Sequence, residues 1–123
     1  MKEYFSEESL ERGGILVMGT KYIDLLLHLD GAITAEAAME LAKVQRISLP
    51  AKTEEELEKL ISVPEGCESL NDFLRCFELP LSLLQTKEGI RRAVRLVLEE
   101  QKREGAIYAE IRFSPQLHTR KGL

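Results

Sequence analysis

Apolar positions along the chain follow two different spacings, and these spacings separate strands from helices. The run from Tyr22 to Leu29 is nearly continuous in apolar residues, which is typical of a strand buried on both faces. From Ala106 to Phe113, apolar and polar residues alternate with a period of two, which predicts a second strand. A shorter apolar run from Ile15 to Met18 stops at Gly19 and is compatible with a small strand.

Between the two main strands the apolar spacing is helical, and threonines mark where helices begin. Thr34 is a suitable N-cap for a helix over 35–46. Thr53 opens a capping box, which predicts the start of a short helix. Thr86 precedes the clearest amphipathic helix of the chain, over 87–103.

A further helix is predicted after Ser69, with Pro80 ending or bending it. It carries Phe73, Leu74 and Phe77, whose spacing places them on one helical face. Two interpretations are open for this face, namely packing in the core or a hydrophobic lid over an aromatic ligand.

The order strand, several helices, strand predicts a βαβ unit of the α/β class with two parallel strands. In such sheets ligands bind beyond the carboxyl ends of the strands. The 123 residues exclude a complete (β/α)₈ barrel, which needs about 250 residues.

Charge and composition argue against nucleic acid and membranes as binding partners. Seventeen basic and 21 acidic residues are mixed along the chain, so we expect no binding to nucleic acid. No stretch approaches the roughly 20 apolar residues of a membrane span, and the charged N-terminus has no apolar signal core. Two cysteines are expected to be reduced thiols, so the expected location is the cytoplasm.

His28 and Asp30 form the densest polar cluster at a predicted strand end. Because side chains alternate along a strand, the two point to the same side. An imidazole and a carboxylate there suit a metal or a polar substrate. The alternative is a hydrogen-bonded histidine beside an aspartate that caps a turn.

Glu110 and Arg112 share one face of the second strand with Tyr108. They form either a structural ion pair, the wet face of an edge strand, or a polar floor under a ligand. Gln116 and His118 follow on a loop, where we expect exposed polar side chains.

The sequence resembles the adenosine deaminase family in several collinear motifs. The run 21–32 (KYIDLLLHLDGA) is similar to the opening of that family, whose first barrel strand ends in H-x-H-L-D-G. The likeness continues through 72–77 (DFLRCF), 83–86 (LLQT) and 108–115 (YAEIRFSP). It covers about residues 20–123 and leaves 1–19 as an N-terminal extension.

The resemblance implies the N-terminal part of a metal-dependent (β/α)₈ barrel (a TIM barrel). The family hydrolyses adenosine to inosine, with a zinc-bound water that attacks C6 of the purine. By position, the resemblance implies a zinc ligand at His28, a contact to the ribose hydroxyls at Asp30, an apolar gate at Phe73, Leu74 and Phe77, and a supporting pair at Glu110 and Arg112.

Leu26 departs from the family pattern, because it stands where the family has its first zinc histidine. The family's other ligands and its catalytic glutamate belong to later strands, and no glutamate here matches the catalytic position. We therefore assign no catalytic residue, expect no stable zinc binding, and expect an inactive deaminase fragment. The alternative is a non-catalytic module that self-associates or complements a second fragment. Adenosine is not distinguished from adenine or related aminopurines.

Overall fold

The computed structural model describes residues 15–122, so residues 1–14 of the expected extension lie outside the described residues. The described chain forms a three-stranded sheet with helices packed on one face. The strands are β1 (Ile15–Met18), β2 (Lys21–His28) and β3 (Ala106–Arg112). The helices are α1 (Ala35–Gln45), α2 (Glu54–Ile61), α3 (Leu70–Arg75), α4 (Glu78–Ser82) and α5 (Lys87–Glu104), with short 3₁₀ turns at Asp30–Ala32 and Pro115–His118.

The strand β2 lies in the middle of the sheet and pairs with a strand on each side. It runs parallel to β3, from Tyr22 opposite Ala106 to His28 opposite Arg112. This arrangement confirms the prediction of two parallel strands with several helices between them. On the other side β1 pairs antiparallel with residues 21–24 of β2, so the short apolar run is also a strand.

A β-bulge interrupts β2 just before its carboxyl end. Asp24 pairs with Ala109 and Leu27 pairs with Ile111, so β2 contains one more residue than β3 over this stretch. The Leu26 N–H donates to the Asp24 carboxylate at 3.0 Å. The extra residue shifts the alternation of buried and exposed side chains along β2. As a result Asp24 and Leu27 are both buried although they are three positions apart.

Beyond the bulge, β2 has one buried face and one open face. Leu27 and Leu29 are buried in the core, whereas Leu26 is 41% exposed and His28 is exposed. The expectation that this strand is buried on both faces is therefore wrong for the described chain. The helices cover one face of the sheet only, so the apolar Leu26 stays in contact with solvent.

The predicted threonine caps are present at the starts of three helices. The Thr34 hydroxyl oxygen accepts from the Ala37 N–H at 3.1 Å, and that of Thr86 accepts from the Gly89 N–H at 3.0 Å. Thr53 forms a complete capping box at the start of α2. Each of these hydroxyls satisfies a backbone N–H that has no partner within its own helix.

The helix that carries Phe73 ends earlier than the sequence predicts. Phe77 precedes α4 instead of continuing α3, and the Ser69 side chain makes no capping hydrogen bond. Pro80 neither ends nor bends a helix, since it lies in the first turn of α4. Its missing N–H is tolerated there because first-turn N–H groups have no intrahelical acceptor.

The core lies between the sheet and the packed pair α1 and α5. Leu41 of α1 and Val97 of α5 are buried there with Leu27 and Leu29 of the strand region. Gln45 joins the two helices, because its side-chain amide donates to Leu83 O at 2.8 Å and its carbonyl oxygen accepts from the Thr86 hydroxyl at 2.6 Å. None of the helices among residues 15–122 has the length and apolarity to cross a membrane.

We expect Leu41→Ala to lower the free energy of unfolding by about 2–5 kcal/mol, because Leu41 is fully buried between helices and sheet. Met39→Ala in the same helix removes an exposed side chain and should change it by less than about 0.5 kcal/mol. Urea titration followed by circular dichroism measures both variants. Equal losses of stability would contradict the assigned core.

Candidate functional site

His28 and Asp30 lie at the carboxyl end of β2, as the sequence predicts. His28 is the last residue of the strand, and Asp30 begins the 3₁₀ turn that follows it. The Asp30 carboxylate accepts from the Gly31 N–H within this turn, at 2.9 Å. The Leu29 N–H donates to Arg112 O at 2.9 Å, which holds this turn against the end of β3.

An open cavity of about 670 Å³ lies beside this strand end. His28 and Asp30 line it together with Phe73, Leu74 and Phe77, which come from a region more than 40 positions away along the chain. The remaining lining residues are Leu27, Gly31, Ala32, Leu81 and Leu117. The structure therefore brings five of the seven predicted site residues to one place.

The aromatic side of the cavity is formed by Phe73 and Phe77. Their rings meet edge to face with centroids 5.4 Å apart. Gly31 permits this arrangement, because a Cβ there would lie 3.3 Å from the Phe77 ring. Phe73 is 40% exposed and Leu74 is 50% exposed, so the core-packing interpretation does not hold for these two side chains in the described chain.

The chemistry of the cavity is apolar with a polar end. Aromatic and aliphatic side chains form most of its lining, and His28 and Asp30 are its charged or ionisable groups. Such a combination suits a ligand with a flat apolar face and a hydrogen-bonding edge or tail.

Glu110 and Arg112 lie on the open face of β3, and neither lines the cavity. Arg112 is the pairing partner of His28, so it stands next to the strand end that the cavity adjoins. Both side chains are exposed, and no salt bridge between them forms in the part of the chain that the structure describes. The Tyr108 hydroxyl donates to Glu110 at 3.0 Å, and this bond to a carboxylate raises the pKa of Tyr108.

His118 is buried, so the expectation of an exposed loop side chain is wrong for it. Its Nδ1 lies 2.7 Å from Leu84 O, where it donates a hydrogen bond, and its ring meets Phe113 edge to face. Gln116 is exposed as expected. Nothing local distinguishes the two residues, because His118 is buried where its loop contacts Leu84 and Gln85, in the segment between α4 and α5.

Gln85 is a structural residue of the site region to which the sequence patterns assign no role. Its side-chain amide donates to Leu81 O and to Leu117 O, both at 2.8 Å, and its carbonyl oxygen accepts from the Arg120 N–H at 3.0 Å. These bonds tie the turn after β3 to the end of α4, which places Leu117 in the cavity wall. The only local signal is a polar side chain directly after two buried leucines.

A protein-family model described as adenosine deaminase matches residues 22–123. The chain belongs to the adenosine deaminase family. It is 50% identical over 101 residues to the adenosine deaminase of Haemophilus ducreyi, covering 82% of this chain and 29% of that protein. It is 42% identical over 101 residues to the adenosine deaminase of Shewanella woodyi, covering 82% of this chain and 30% of the relative.

The described fold is similar to the crystal structure of an adenine deaminase from Arthrobacter aurescens. The TM-score is 0.64 at 31% sequence identity, over 80% of this chain and 29% of that one. The chain is therefore a partial (β/α)₈ barrel, as the resemblance to the adenosine deaminase family implied. It spans about three tenths of the length of the curated relatives that it matches.

Membership of the adenosine deaminase family implies a metal cofactor, and the residues at the end of β2 do not fit one. His28 offers one imidazole, while the neighbouring open-face position carries Leu26, which has no lone pair to donate. Within residues 15–122 no group of three or more His, Cys, Asp or Glu side chains could hold a metal ion. A catalytic zinc needs three protein ligands and an open position, whereas this strand end offers one imidazole.

We expect Gln85→Leu to destabilise the turn over 115–118 by about 1–3 kcal/mol, because it leaves the Arg120 N–H and the Leu117 carbonyl without their partner. Hydrogen exchange should show faster exchange over 115–122. Gln116→Leu, at an exposed position in the same turn, serves as the control. Unchanged exchange in the Gln85 variant would show that these bonds do not hold the turn.

Proposed function

We propose that this chain forms part of the substrate-binding site of a purine deaminase. We also propose that it does not turn over substrate by itself. One observation carries the proposal, namely that His28, Asp30 and three apolar side chains of the α3–α4 region line a single cavity at the end of β2. The substrate class is a purine nucleoside or its free base. The relatives carry the names adenosine deaminase and adenine deaminase, and the cavity does not separate the two ligands.

Each group in the cavity has a role that its chemistry supports. Phe73, Leu74 and Phe77 would contact the faces and edge of the purine, since they present apolar surface to the opening. Asp30 would accept hydrogen bonds from the ribose hydroxyls, because its carboxylate lies at the polar end of the same cavity. In this proposal the chain binds and orients a ligand.

The absence of turnover is proposed from the donor set at the strand end. His28 would be a zinc ligand in the family pattern, but a single imidazole beside Leu26 is too few donors for a catalytic zinc. Glu110 and Arg112 would support the site from the neighbouring strand, and Glu110 is engaged by the Tyr108 hydroxyl. No group here has the position of the family's catalytic glutamate.

A second candidate function is that of an interaction module. The outer edge of β3 carries no further strand among the described residues, and Ile107 beside it is 52% exposed. A seven-residue edge strand with its outer backbone groups unpaired is a site for pairing with another strand. The partner would be a complementary part of a deaminase barrel or a second copy of this chain.

The proposed location is the cytoplasm. Cys67 and Cys76 are free thiols in the structure, and free thiols persist in a reducing compartment. Neither cysteine contributes to the cavity at the end of β2.

We expect purified chain with added Zn²⁺ to form no inosine from adenosine above a metal-only blank, measured by chromatography. Inosine above that blank would contradict the proposed lack of turnover.

Binding is tested separately from turnover. We expect adenosine to bind to the cavity, and Phe77→Ala to weaken binding about 3- to 10-fold, as expected for the loss of one aromatic contact. Leu70→Ala is the matched control, because Leu70 is exposed on α3 and does not line the cavity. Titrations of both variants with adenosine and with adenine, followed by NMR, report the affinities. Equal affinities for the two variants would exclude the cavity as the binding site.

We expect Leu26→His to raise the affinity for Zn²⁺ roughly tenfold over the unmodified chain, which corresponds to about 1.4 kcal/mol. The substitution would place two imidazoles on the open face of β2, and zinc binds imidazole nitrogen. Leu26→Gln is the control for polarity at the same position, and the double change Leu26→His with His28→Ala should return the affinity to the starting value. Isothermal titration measures all four chains, and equal affinities for the histidine and glutamine variants would contradict the assignment.

A further inference from the structure

Two leucines of the cavity wall come from segments that lie more than 30 positions apart along the chain. Leu81 belongs to α4, and Leu117 belongs to the 3₁₀ turn after β3. Both line the cavity at the end of β2, and neither is among the site residues that the sequence predicts. The shape of the cavity on this side therefore depends on how the turn after β3 is held against α4.

The side chain of Gln85 bridges these two segments. Its amide nitrogen donates to Leu81 O and to Leu117 O, both at 2.8 Å. Its carbonyl oxygen accepts from the Arg120 N–H at 3.0 Å. Gln85 is only 3% exposed, so little water reaches these bonds, and each of the three partners would lose a hydrogen bond if the amide were removed.

The chemistry of the bridge requires a side-chain amide. The two backbone carbonyls need N–H donors and the backbone N–H needs an acceptor, and an amide carries both kinds of group. A carboxylate would place oxygen against two carbonyl oxygens, and an ammonium group has no acceptor for the N–H. The identity of Gln85 is thus matched to its three partners.

The bridge matters more for Leu117 than for Leu81. Leu81 is also held within the α4 region, because its N–H donates to Phe77 O at 3.0 Å. The Leu117 N–H donates to Ser114 O at 3.0 Å, and this bond stays within the turn itself. The Leu117 side chain is 45% exposed, so packing in the core does not fix it. Its place in the cavity wall follows from the bond that Gln85 makes to its carbonyl.

His118 keeps the same turn near α4 independently of Gln85. Its Nδ1 donates to Leu84 O at 2.7 Å, and its ring meets Phe113 edge to face. Loss of the Gln85 bonds is therefore expected to loosen Leu117 while the turn stays attached through His118.

We propose that Gln85 is a positioning residue for purine binding, which holds the Leu117 side chain in the cavity wall opposite the α4 segment. Gln85 does not line the cavity, so it acts through Leu117. A wall that is held in place before the ligand arrives loses less conformational freedom on binding, and this raises the affinity. The inference rests on the proposed function, because it assumes that the cavity binds a purine.

The test is a double-mutant cycle on adenosine affinity, measured by NMR titration of the full chain with Gln85→Leu, with Leu117→Ala and with both changes. We expect each single change to weaken binding about 3- to 10-fold. The double variant should bind less tightly than Leu117→Ala by a factor below about 2, because Gln85 acts through Leu117. Losses that multiply in the double variant would overturn the proposal, and so would an unchanged affinity in Gln85→Leu.

Gln116→Leu is the matched control for the cycle. Gln116 is exposed in the same turn and does not line the cavity, so this variant should keep the affinity of the unmodified chain. If circular dichroism shows that Gln85→Leu does not fold, Gln85→Met takes its place in the cycle. Methionine keeps the length and unbranched shape of glutamine but has no N–H to donate.

A measurement without ligand separates this inference from the proposed function. Methyl relaxation of the leucine-labelled chain should show a lower order parameter for Leu117 in the Gln85 variant and an unchanged one in Gln116→Leu. An unchanged order parameter in the Gln85 variant would overturn the positioning role. If the unmodified chain does not bind adenosine, the proposed function and the link to affinity both fail, whereas the methyl measurement still decides whether Gln85 holds the wall.

Discussion

The parallel pairing of β2 with β3 is the constraint on which the rest of the structure depends. Two parallel strands need a long crossover, and here the crossover contains five helices between Asp30 and Gly105. Because the crossover begins at the carboxyl end of β2, it passes over that end and returns along α5. The cavity is a direct consequence, since α3 and α4 lie above the residues that follow the strand. The site and the fold therefore have the same physical origin.

The bulge in β2 decides which side chains reach the open face. In a regular strand, residues three positions apart such as Asp24 and Leu27 would lie on opposite faces. With it, Asp24 and Leu27 are both buried, and Leu26 and His28 are the side chains left on the open side. Leu26, which stands where the family resemblance implies a zinc ligand, is consequently 41% exposed to solvent.

Local interactions account for most of what the sequence predicts correctly. Thr34, Thr53 and Thr86 cap helices within three residues of themselves, and Gly105 ends α5 with a positive φ. The failures are of a different kind. The sequence predicts that Pro80 ends or bends a helix, but the start of α4 at Glu78 places it in a first turn, where it causes no disruption. The sequence predicts an exposed His118, but its buried ring is bonded to Leu84 O, which is 34 positions away along the chain.

The sequence by itself determined the family, the alternation of strands and helices, and the identity of the residues that can do chemistry at the end of β2. These properties follow from the spacing of apolar residues and from helix capping, both of which involve residues close together in the sequence. Only the tertiary structure decided which of the predicted site residues share a cavity. Phe73, Leu74 and Phe77 line it with His28 and Asp30, whereas Glu110 and Arg112 lie outside it. The tertiary structure also decided that β1 pairs with one edge of β2. Those outcomes depend on strand register, on one bulge and on side-chain contacts between distant segments, and no local pattern encodes them.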